Sequence, residues 1–123
     1  MNGAADLQAF LRVSNERALG KLLDRIHHQF PIEVSLESSE TYWKDPGLRD
    51  VRFRVKISPE PLGGIISHLM IAGWSVASTW MVTSVGELLA PGWHFEAIAY
   101  KDSSTFAIQG IEWAKISFVS EIP

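Results

Sequence analysis

The sequence predicts an α+β domain over residues 1–123. Its expected core is a mainly antiparallel, curved sheet of five to six strands, with a long N-terminal helix and a second, short helix. Three observations carry that expectation. Apolar residues between positions 5 and 30 recur at helical spacing, and those between 32 and 57 alternate with polar ones. From Trp74 onward the chain is β-branched and aromatic, with turn residues at intervals. The expected order is α-β-β-α-β-β-β.

Residues 5–30 read as helix because Leu7, Phe10, Leu11, Ala18, Leu22 and Ile26 follow i, i+3, i+4 spacing, widened by Leu19, Leu23 and Phe30. Ser14 and Asn15 interrupt the stripe, so one bent helix and two consecutive helices both fit, and Pro31 ends the run. In "PIEVSLESSETYW" the residues Ile32, Val34 and Leu36 point one way and Glu33, Ser35 and Glu37 the other. "KDPGLRD" is a turn by composition. "VRFRVKI" then sends Val51, Phe53, Val55 and Ile57 inward and Arg52, Arg54 and Lys56 outward, completing a hairpin with opposite charges on its outer strands.

Ser58-Pro59-Glu60 has the composition of a helix start. Leu62, Ile65, Ile66, Leu69 and Met70 supply the apolar side, and Gly73 a stop. Gly63 and Gly64 fit a helix interior poorly unless the helix begins after them or lies close on a sheet. "WSVASTWMVTS" and "WHFEAIAYK" read as strands separated by the loop "VGELLAPG". "TFAIQGIEWAKISFVSE" reads as one bent strand or two short ones about Gly110. In "WHFEAIAYK" both faces are largely apolar, which places the strand centrally, covered on each side.

Composition narrows the chemistry. The chain has no cysteine, which excludes disulfides, thiolate metal sites and cysteine nucleophiles. The start "MNGAADLQAF" is not a signal peptide, and no run approaches the ~18 apolar residues of a membrane helix, so the expectation is a soluble, cytoplasmic protein without a membrane partner. A net charge of -3 argues against nucleic acid and for a basic partner. The only basic stripe, Arg52, Arg54 and Lys56, has the acids Glu33 and Glu37 on the neighbouring strand and no aromatic on its own face, unlike a nucleic-acid platform.

His94 and Glu96 share a strand face, a spacing that suits a general base or proton relay, and Tyr100 lies on the same face as a hydrogen-bond donor. The same pair is also what the polar end of an amphipathic strand produces. His27 and His28 are adjacent, point about 100° apart on a helix and suit its last turn better than a metal. Without H-x-H or H-E-x-x-H spacing, no metal site is expected, and "PEPLGGIIS" lacks the lysine of a phosphate loop. No cofactor is expected.

The five tryptophans are the least ordinary feature. By alternation Trp113 shares a polar face with Lys115 and Ser117, and Trp43 shares one with Glu33, Glu37 and Thr41. Tryptophan on a polar face is enriched at interfaces. No motif matches a named family. The profile of size, acidity and missing chemistry is similar to that of bacterial immunity proteins, which neutralise toxin domains. The leading expectation is therefore a non-catalytic protein-binding module that inhibits a basic toxin or enzyme domain. Its contact set would be Glu37, Glu40, Trp43, Asp45, Glu87 and Trp113. The alternative is a small-molecule binder or small enzyme with a cone-shaped pocket using His94 and Glu96. A third reading is a homo-oligomeric structural subunit that self-associates through its tryptophan-bearing faces.

Overall fold

The computed structural model describes residues 3–121. It is an α+β fold with strands β1 (Gly3–Arg12), β2 (Val34–Thr41), β3 (Leu48–Val55), β4 (Met81–Val85), β5 (His94–Tyr100) and β6 (Ile111–Ser120), and helices α1 (Glu16–Gln29) and α2 (Leu62–Trp74). The six strands form one antiparallel sheet in the order β2-β3-β1-β6-β5-β4. Leu19, Leu22 and Ile26 of α1 and Ile65, Leu69 and Ala72 of α2 share one core with the inward residues of the sheet. Both helices therefore lie on the same side and leave the other side uncovered. No helix among the described residues is long and apolar enough to cross a membrane.

The sequence expectation is corrected at its start. Helix α1 is 14 residues, not a long helix from position 5, and Gly3–Arg12 is a strand at the centre of the sheet, paired to β3 and β6. Ala5, Leu7, Ala9 and Leu11 are all buried on the helix side, a period of two that the i, i+3, i+4 spacing of Leu7, Phe10 and Leu11 hides. Asn15 begins the true helix: its side-chain carbonyl accepts the Ala18 amide at 2.8 Å. At the other end the Nδ1 atoms of His27 and His28 lie 3.1 and 2.8 Å from the carbonyls of Leu23 and Asp24, four residues back, so both rings fold against their own helix.

The hairpin of β2 and β3 forms as read, with Val51, Phe53 and Val55 buried and Arg52, Arg54 and Lys56 exposed. A bulge falls at Glu37, between Leu36 and Ser38. Helix α2 takes in both Gly63 and Gly64 and runs to Trp74, so the strand expected from Trp74 shortens to Met81–Val85. The segment before β6 is likewise loop, apart from one bridge between Ala77 and Phe106. Gly110 closes that loop at φ +106°, and a Cβ there would stand 3.0 Å from a Leu22 methyl. Only glycine combines that backbone angle with so close an approach.

Strand β5 also differs from expectation. It lies one strand from the edge, and its second face is bare rather than covered. Trp93, Phe95, Ala97 and Ala99 are buried under the helices; His94, Glu96 and Ile98 are half-buried and Tyr100 exposed on the opposite face.

Candidate functional site

The uncovered face of the sheet gathers most of the candidate residues. Cross-strand register sorts it into rows. One row runs Ser35, Arg54, Asp6, Ser117, Glu96, Thr83; the next runs Ser38, Arg52, Gln8, Lys115, Ile98, Met81; a third runs Glu40, Asp50, Phe10, Trp113, Tyr100.

The basic residues of the first two rows are paired with acids on the same face. Arg54 lies 3.2 Å from both Asp6 and Glu37, Arg52 lies 3.8 Å from Asp50, and Lys115 lies 3.9 Å from Glu96. Gln8, buried between them, donates to Asp50 at 2.9 Å. A shallow depression of about 130 Å³ lies among Asp6, Gln8, Arg54 and Lys115.

The third row is aromatic. Phe10 stacks on Tyr42 at 4.5 Å and on Trp113 at 4.6 Å, with rings within 25° of parallel, and Tyr42 meets Trp43 edge-on at 6.2 Å. Tyr100 is the strand partner of Trp113. Phe10 lies between Tyr42 and Trp113, so both faces of its ring are covered. Trp43 ends the row in the β2–β3 turn and is 82% exposed, with Lys44 Nζ 5.0 Å from its ring centre.

Arg12 fastens the turn that carries Tyr42 and Trp43. It donates to Asp45 at 2.8 Å and to Glu112 at 2.7 Å, bridging the turn to the start of β6. Asp45 also accepts the Gly47 amide at 2.9 Å. These hydrogen bonds hold the Asp45 and Glu112 carboxyls below the usual carboxylate range and keep Arg12 charged. A depressed folded-state pKa adds stability above the unfolded-state value, near pH 4, that is lost as pH falls through the folded value. Arg12→Gln is thus expected to lower the urea midpoint at pH 6, with the gap to wild type closing as pH falls through and below the ordinary carboxylate range. A gap that stays constant with pH would contradict this linkage.

The expected contact set is only partly assembled. Trp43, Trp113, Glu40 and Asp45 lie at one end of the face, and Glu37 sits on the bulge of the same edge strand. Asp45 is engaged by Arg12. Glu87, in the loop after β4, lies at the opposite end and opposite edge of the sheet. Phe10, Tyr42 and Arg12 complete the site but were not expected there; Phe10 and Arg12 belong to the strand whose alternation was masked.

His94 Nε2 lies 3.1 Å from Glu96 Oε1, near enough for an ion pair but without hydrogen-bond geometry, so this shielded nitrogen has no directed partner. Tyr100 is six residues along β5, roughly 20 Å from His94, so it cannot act on the same ligand atom. A cleft of about 720 Å³ opens elsewhere, between α1 and the loop before β6, lined by Arg12, Arg25, Lys101, Phe106 and Glu112. No three metal-ligating side chains gather among the described residues. No family model matches the chain, and neither a curated protein nor a solved structure matches it.

Proposed function

We propose that this chain is a non-catalytic protein-binding module, of the immunity or inhibitor kind, that covers a toxin or enzyme domain with the aromatic end of its uncovered sheet face. The observation that carries this reading is Trp43, largely exposed yet mounted on a stacked row running through Tyr42 and Phe10 to Trp113. A rigid aromatic anchor loses little conformational freedom on binding, which is why tryptophan and tyrosine dominate interface energetics. Glu40 at the end of the row, together with the net charge of -3, favours a basic partner. The proposed setting is the bacterial cytoplasm.

The catalytic alternative draws less support, since His94 and Glu96 lie on an open face and Tyr100 is remote from them. The deciding experiment is titration of the purified chain against the toxin domain encoded beside its gene. A complex with loss of toxin activity is the expected result. No complex at about 10 µM of each protein would overturn the proposal.

A further inference from the structure

The two edges of the sheet are built differently. Strand β2, one edge, carries Glu37 and Glu40 and is bulged at Glu37. Charges and bulges are how exposed edges are kept from pairing. Strand β4, the other edge, has the sequence MVTSV, with no charge, no proline and an unbroken register against β5. Met81, Val82 and Val85 are each more than half exposed, as are Leu88 and Leu89 in the loop that follows. Leu89 is held at φ +69°, a left-handed conformation that is unfavourable for leucine. An apolar, unguarded edge beside a strained apolar loop is a pairing surface.

We infer that the β4 edge pairs with the β4 edge of a second copy, antiparallel about a two-fold axis through Thr83. This register gives the full five-residue overlap: Met81 faces Val85 of the second copy, Val82 faces Ser84, and Thr83 faces its own counterpart. The side-chain period of two then keeps helix side with helix side and bare side with bare side, which a one-residue slip would not. A neutral strand meets its copy without like-charge repulsion, whereas self-pairing of β2 would bring Glu37 and Glu40 near their counterparts. Continuing the register sets Leu88 and Leu89 past the end of the second copy's strand, toward the segment before its Met81. The five exposed apolar side chains offer on the order of 500 Å² per copy, below the roughly 800 Å² per partner of a standard interface. The dimer is accordingly a weak one, with a Kd on the order of 10 µM.

Thr83→Lys is the test. Within one chain Thr83 is exposed and opposite Glu96, so a lysine there gains a carboxylate neighbour and the fold is kept. Across the two-fold axis it would face its own copy. Sedimentation equilibrium from about 5 to 300 µM should show the wild type passing from its 13.7 kDa monomer to twice that mass, and T83K weakened at least tenfold. Amide exchange at β4 in the wild type should slow as concentration rises, a readout that needs no variant. A wild type that is monomeric throughout would overturn the inference and leave the edge to a strand from another protein. A dimer that T83K leaves unchanged, or β4 exchange independent of concentration, would overturn it as well.

Discussion

Phe53→Ala is expected to destabilise the chain by about 3–5 kcal/mol, a large part of the roughly 5–15 kcal/mol available to a domain of this size. Phe53 is fully buried in β3, paired with Leu7 on one side and Leu36 on the other, with the His27 ring edge-on at 5.5 Å. Truncation removes its burial and leaves a void that strands and helix on three sides cannot close. The instructive companion is Phe10→Ala. On a helical reading Phe10 is a core residue like Leu7; in the structure it stands on the uncovered face between Tyr42 and Trp113. Its loss should cost only about 1–2 kcal/mol, mostly stacking and partial burial. Urea unfolding of the two variants side by side checks both values. Equal losses would mean that the two phenylalanines do not face opposite sides of the sheet.

Trp43→Ala should do the reverse, leaving stability within about 0.5 kcal/mol while weakening the proposed complex by about 2–4 kcal/mol, or roughly 30- to 1000-fold in Kd. The side chain touches its own protein at one edge of Tyr42 and beneath Lys44, so little folding energy rests on it. Binding measured by titration calorimetry beside a thermal melt separates the two effects. A variant that binds its partner as well as wild type would remove Trp43 from the interface and with it the main support for the proposed function.

The sequence signalled some elements more clearly than others, and the differences have physical causes. β3 is plain because Val51, Phe53 and Val55 are buried while Arg52 and Arg54 between them are exposed and ion-paired. α2 was plain in its apolar spacing, although its glycines obscured where it begins. β1 was hidden because its own bare face holds Ala4, Gln8 and Phe10 rather than charges at every position, so both periods fit the same ten residues. That single misreading also hid the site. With Phe10 assigned to a helix, nothing links Trp43 to Trp113, and Arg12 has no reason to meet Asp45. The direction of the β5 faces was legible, but their covering was not. Whether a helix lies over a face depends on the path of the connections, which no local pattern records.

The position of β1 has a consequence for synthesis. This strand leaves the ribosome before the other five, yet one of its two sheet partners is β6, and Leu11 must wait for Ile111. At about 5–20 residues per second, that wait is roughly 5–20 s. During it the nascent chain can pair β1, β3 and β2 and, separately, β4 with β5, while the side of β1 that receives β6 stays open. The chain is therefore one whose yield should respond to translation rate and to chaperones that shield a waiting strand, independently of how stable the finished fold is.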